Sequence, residues 1–221
     1  QPLTSDNKIF RGLGERKFDE PAFTVAFAKT VLNLLNQRDR SICMTMLQSG
    51  QSTRQVLVDI NQQPNYIMNE IEKGANRIRF DFSQRKGNGF PYFTWISIDA
   101  ITEIQKWLPT RQEWLHGKEC KWLWITDTLK PMTPRKFHAN FKALLQRHKI
   151  WTGPYTVRTH MFRKIFESEA SPPDRGISKP YVGFWMGHKS GKEVANKMEA
   201  VGGTYDNAPR IYLGAVEREY E

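Results

Sequence analysis

Three separated stretches of this 221-residue chain carry residue types capable of acid–base and phosphate chemistry. In Thr159-His160-Met161-Phe162-Arg163-Lys164 a histidine and an arginine stand three apart. On a helix that spacing puts imidazole and guanidinium on one face, directed at one ligand. Trp185-Met186-Gly187-His188 delivers a second histidine just past a glycine, and Tyr205, Tyr212 and Tyr220 follow toward the C-terminus. A phenol is a poor nucleophile at neutral pH and needs a base and a strong electrophile beside it. Taken singly, none of these is distinctive. His-x-x-Arg arises often, a histidine after glycine is commonly a cap, and terminal tyrosines commonly pack.

The elements that must position these residues follow from periodicity. Pro21 to Leu35 reads as a helix, with Phe23, Phe27, Val31 and Leu34 at helical spacing. A break is expected at Asn36 to Arg40, then an apolar helix from Ile42 to Gln48 that stops at Ser49-Gly50. A short helix, Thr53 to Ile60, comes next. The period then switches to two in Arg77–Phe82 and again in Tyr92–Ile98. Between these strands lies Ser83 to Pro91, a glycine-rich turn bearing Arg85 and Lys86, so a β-hairpin with a basic tip is expected. Asp99 reads as the N-cap of a helix from Ala100 to Leu108. Trp107, Trp114, Trp122 and Trp124 are assigned mainly to the core, because a tryptophan buries so much area. Thr133-Pro134 opens a helix with an apolar stripe of Phe137, Phe141, Leu144 and Leu145. Val157 to Ala170 and Arg210 to Tyr220 are further helical stretches, and Tyr181 to Met186 is a short apolar segment stopped by Gly187-His188. The fold class expected is mainly α with one small antiparallel sheet (α+β).

Charge narrows the partner. Lys and Arg number 33 against 23 Asp and Glu, a formal net charge of +10. Residues 151–221 hold ten basic and nine acidic side chains, so the first 150 residues carry 23 against 14, or +9. Within them Lys130, Arg135, Lys136, Lys142, Arg147 and Lys149 form a run without a single acid, suited to a phosphate backbone. No apolar run approaches the ~20 residues of a membrane span. Cys43 and Cys120 lack a disulfide framework, which points to a reducing, cytoplasmic setting. His116 and Cys120 stand four apart without a second ligand pair, so no metal and no cofactor is expected. Residues 1–20 read as a linker or arm, and a start at Gln1 without methionine or a signal pattern reads as a fragment of a longer protein.

Taken in order, the pieces are specific. Arg38-Asp39-Arg40-Ser41-Ile42 through Ser49-Gly50, the hairpin lysine, Thr159 to Phe166, Met186-Gly187-His188-Lys189-Ser190 and then a tyrosine resemble the catalytic domain of the tyrosine recombinases, the phage-type integrases. Arg85-Lys86 followed by Tyr92-Phe93-Thr94 and Ile96 is similar to hairpins of archaeal and archaeal-virus integrases. The resemblance spans roughly residues 25–221. It implies a DNA breaking-and-rejoining fold with a core over 21–204, a nucleophile segment and C-terminal helix over 205–221, and a core-binding domain upstream.

The resemblance also implies roles. Arg54 and Arg163 would fork onto the non-bridging phosphate oxygens and stabilise charge in the transition state. Lys86 would protonate the departing 5′ oxygen, His160 would help to remove the tyrosine proton, and His188 would bond a phosphate oxygen. Tyr205 would form a 3′-phosphotyrosyl link, so rejoining needs neither ATP nor metal. Arg85 and the basic run Lys130, Arg135, Lys136, Lys142, Arg147 and Lys149 would hold duplex DNA, on which the chain would assemble as a tetramer while staying monomeric when free. Two departures stand out. The family's first arginine follows the glycine by two residues, where this chain has Ser52, so the role passes to Arg54. The nucleophile commonly follows Gly-His by about nine residues, where this chain has Lys197, and Tyr205 lies 17 beyond His188. An insertion over Lys192–Gly203 accommodates the offset. The alternatives are a type IB topoisomerase or telomere resolvase, with the same chemistry, and a non-cleaving DNA-binding module of the same fold.

Overall fold

The computed structural model describes residues 23–83, 89–150, 158–170 and 177–200, the last four without their side chains. Helix α1 (Val25–Leu32) starts at Thr24, whose side chain accepts a hydrogen bond from the Phe27 amide. Helix α2 (Gln37–Ser49) begins where a break was expected. Asn36 is its N-cap, accepting from the Asp39 amide at 2.9 Å, so the polar stretch is a first turn. α2 is the buried axis of the molecule. Ile42, Met46 and Leu47 bury with the polar Ser41, Thr45, Gln48 and Ser49, whose groups are paired.

After Gly50 the chain enters a π-helical turn (Gln55–Asp59) and a 3₁₀ turn (Ile60–Gln62) in place of the regular helix expected there. Helix α3 (Pro64–Glu72) then leads into strands β1 (Arg77–Phe82) and β2 (Tyr92–Ser97), antiparallel, with Arg77 opposite Ser97 and Phe82 opposite Tyr92. Ile78, Phe80 and Phe82 alternate into the core as the period-two pattern required. β2 ends at Ser97, and helix α4 (Ile98–Leu115) follows without a loop.

Two expectations about α4 are corrected. Asp99 is not its cap: it lies in the first turn and accepts from Gln48 Nε2 at 3.0 Å. The cap comes from α2, because Gln48 Oε1 accepts from the amides of Ser97 (2.9 Å) and Ala100 (3.1 Å). The helix also runs through Pro109 to Leu115, past the stop expected at Leu108. Arg111 is buried beyond that point, donating to the carbonyls of Cys120 and Trp122. Trp107 and Trp124 are fully enclosed, and their indole N–H groups donate to the Leu123 carbonyl and to Ser41 Oγ. Trp114 and Trp122 are half-buried against the same cluster.

Helix α5 (Pro134–Arg147) is capped by Thr133, which accepts from the Lys136 amide, and buries Phe137, Phe141 and Leu145. Phe141 meets Phe162 of helix α6 (His160–Ala170) edge-on, with ring centroids 6.1 Å apart. Helix α7 (Lys179–Trp185), a 3₁₀ turn (Lys189–Gly191) and helix α8 (Lys192–Ala200) complete the described chain. Over the described residues the fold is mainly helical with one two-stranded antiparallel sheet, as the periodicity required.

Candidate active site

The site grows from the end of α2. Gly50 takes a left-handed conformation (φ 65°), and a Cβ there would lie 2.5 Å from Phe166 of α6. Only glycine meets both demands, so α2 stops there and α6 packs closely against it. The neighbouring polar groups are wired into two other elements, β2 and α7. Thr94 of β2 donates to the Ser49 carbonyl at 2.7 Å. Gln51 donates to the Trp185 carbonyl at 2.7 Å and accepts from the Tyr92 hydroxyl at 3.1 Å. Tyr92 in turn lies under Gly187 (φ 64°), where a Cβ would meet its ring at 2.7 Å.

Arg163 sits at the middle of this knot, 1% exposed. Its Nη1 donates to the Gly50 carbonyl, and its Nη2 donates to the Met186 carbonyl (2.7 Å) and to His188 Nε2 (2.6 Å). A guanidinium only donates, so Nε2 of His188 is the acceptor in this contact and its ring proton belongs on Nδ1. The backbone fixes this histidine as well: its amide donates to the Gly183 carbonyl at 2.7 Å, and its carbonyl accepts from the Gly191 amide at 2.9 Å. Three stretches far apart in sequence thus meet at one buried cation.

A second set of bonds lies alongside. Thr53 and Thr159 are buried, and their hydroxyls are 2.9 Å apart. Arg54 and His160, both exposed, each follow one of this pair, so the bond brings their backbones together. Arg54 differs in setting from Arg163: it opens the π-helical turn at the surface. Partial burial raises the Asp59 carboxyl above its ordinary value, and the Arg54 charge opposes that rise. Ser52, two residues after Gly50, is half-buried and donates to Gln55 Oε1.

All six members of the basic run, Lys130, Arg135, Lys136, Lys142, Arg147 and Lys149, are exposed. The apolar stripe of α5 is spent on the core, which leaves its cations facing solvent. Arg85, Lys86 and Tyr205 lie outside the described residues, as do Tyr212, Tyr220 and residues 1–20. No described helix is long and apolar enough to cross a membrane. Among the described residues no three His, Cys, Asp or Glu cluster as a metal site.

Sequence reasoning missed Gln51, Tyr92, Thr53, Thr159 and His138 as parts of this assembly. Gln51 and Thr159 adjoin the motifs and could have been suspected from that. His138, whose Nδ1 lies 3.0 Å from Thr159 Oγ1, gave no signal beyond its place in the basic run. Comparison with known protein families, curated proteins and solved structures finds no match.

Proposed function

We propose that this chain is the catalytic part of a site-specific DNA recombinase of the tyrosine type, an integrase that cleaves and rejoins strands through a 3′-phosphotyrosyl intermediate. The observation that carries the reading is the meeting of Gly50, Arg163 and His188, three separate pieces of the motif order, in one buried hydrogen-bonded knot. Chance resemblance in three short stretches gives no reason for them to touch.

In this reading Arg163 and His188 form the floor on which a phosphodiester rests. The carbonyls of Gly50 and Met186 hold the guanidinium in one orientation, so its charge is preorganised for the transition state. Arg54 and His160 stand beside that floor, Lys86 protonates the leaving 5′ oxygen, and Tyr205 attacks phosphorus. The exposed cations of α5 hold the flanking duplex. The exposed setting of Arg54, with Ser52 in the usual arginine position, favours one other reading: a DNA-binding module of this fold that does not cleave.

A duplex nicked near the crossover point separates the two. On the first reading it traps a protein–DNA adduct that survives SDS and leaves a free 5′-hydroxyl strand. On the second, the DNA is bound and nothing is trapped.

A further inference from the structure

His138 projects from the basic face of α5, with Arg135 three residues before it and Lys142 four after, on one stripe of the helix. Its ring is tied inward. Nδ1 lies 3.0 Å from the Thr159 hydroxyl, which lies 2.9 Å from the Thr53 hydroxyl, which is 3.7 Å from Met46 Sδ. Thr159 is 1% exposed and Thr53 is 5% exposed, whereas His138 is exposed. The chain of bonds therefore runs from the core to an imidazole at the surface, and it fixes which edge of the ring faces out. That edge is Nε2.

This relay can run in two directions. With a proton on Nδ1, His138 donates to Thr159, Thr159 to Thr53 and Thr53 to Met46, and Nε2 is a bare acceptor. Reversed, Thr53 donates to Thr159, Thr159 donates to Nδ1, and Nε2 presents an N–H. The reversal gives up only a weak bond to a thioether. Both directions leave every hydroxyl paired, so the ring can present a donor without becoming charged. Phosphate oxygens are acceptors, and a row of cations on either side draws a phosphate to this place.

We propose that His138 is a DNA-backbone contact in which Nε2–H donates to a phosphate oxygen, held in position by Thr159 and Thr53. The inference rests on the DNA-binding reading above and adds a ligand-contacting residue outside the motif residues. Although the residue is exposed, partial desolvation on its inward side and the nearby Arg158 charge hold the imidazole below its usual value, which favours the neutral ring. A neutral donor has a distinctive signature: it adds affinity but releases no counterion. The relay also joins the contact to the active site, because Thr159 and Thr53 directly precede His160 and Arg54.

The test is equilibrium binding of the full chain to a 30-base-pair duplex, followed by fluorescence anisotropy over a range of KCl. His138→Ala should weaken binding roughly tenfold, the scale of one hydrogen bond to a charged group. The slope of log K against log salt should stay as in the parent, whereas Lys142→Ala should lower it by about 0.9. Glutamine places its amide near Nε2 and asparagine near Nδ1, so His138→Gln should recover most of the loss and His138→Asn should not. Recovery by asparagine alone would make the residue a structural tie to Thr159 and overturn the proposal. Unchanged affinity in His138→Ala, with normal binding by the parent, would overturn it as well. Absence of salt-dependent binding by the parent would instead sink the DNA reading itself, and this contact with it.

Discussion

Replacing Arg163 by alanine should cost the protein a large part of its stability. The guanidinium is buried and makes charge-assisted bonds to the Gly50 and Met186 carbonyls and to His188. Alanine takes that partner from two buried carbonyls and one half-buried imidazole nitrogen, and a buried polar group that loses a hydrogen bond costs about 1–3 kcal/mol. Water entering the vacated space recovers part of that sum, so a net loss of about 3–5 kcal/mol is expected. That is a large share of the ~5–15 kcal/mol by which domains are stable. Arg163→Lys keeps the charge but reaches fewer acceptors, because an ammonium lacks the planar fork, and should lose about half as much. Urea unfolding followed by circular dichroism measures both: the midpoint should fall while the slope with denaturant stays constant. A loss below about 1 kcal/mol in Arg163→Ala would refute the reasoning. Activity must then be compared where the variants remain folded, and there Arg163→Ala should still add about 2.7–4 kcal/mol to the cleavage barrier, by analogy with losing one oxyanion donor.

Gly50→Ala combines a left-handed backbone with a Cβ 2.5 Å from Phe166, so it should cost at least about 2 kcal/mol in the same urea experiment. Burial pushes the Cys43 thiol well above its ordinary value of 9.0. The folded state thus holds this proton longer than the unfolded chain, stability from this group is complete below pH ~9 and falls as pH rises further, and Cys43→Ala should flatten that fall. Lys86→Ala should lose cleavage of ordinary DNA and regain it on a substrate whose 5′-bridging oxygen is sulfur, since a thiolate leaves without a proton. Failure of the sulfur substrate to rescue would reduce Lys86 to a phosphate contact.

What the sequence revealed and what it hid follow from the range of the forces involved. Gly50 as a stop, the alternation of Arg77–Phe82, the stripe of Phe137 and Phe141, and the turn at Gly187 are set by residues close in the chain, and they were legible. α3 was not anticipated, although Pro64 at its first turn is a recognised start signal. The reach of α4 past Pro109 was hidden, because its last turns are held by Arg111 bonding to a loop 9 to 11 residues away. Its cap was hidden more deeply, since Gln48 lies 49 and 52 residues before the amides it accepts from. The same holds at the site. Arg163 and His188 could be named from local text, but the anchor of Arg163 on the Gly50 carbonyl is a contact between residues 113 apart. The Thr53–Thr159–His138 relay joins three elements and leaves no local trace at all.

The central claim is covalent strand transfer through a tyrosine, and trapping tests it most directly. The parent chain and its Tyr205→Phe, Tyr212→Phe and Tyr220→Phe variants are each incubated with the nicked suicide duplex, quenched in SDS, and the adduct is digested to locate the modified peptide by mass spectrometry. The account predicts an adduct from the parent with the phosphotyrosyl link on Tyr205, and none from Tyr205→Phe although that variant binds the duplex normally. An adduct from Tyr205→Phe would move the nucleophile to another tyrosine, and no adduct from the parent on a duplex it binds would contradict the claim itself.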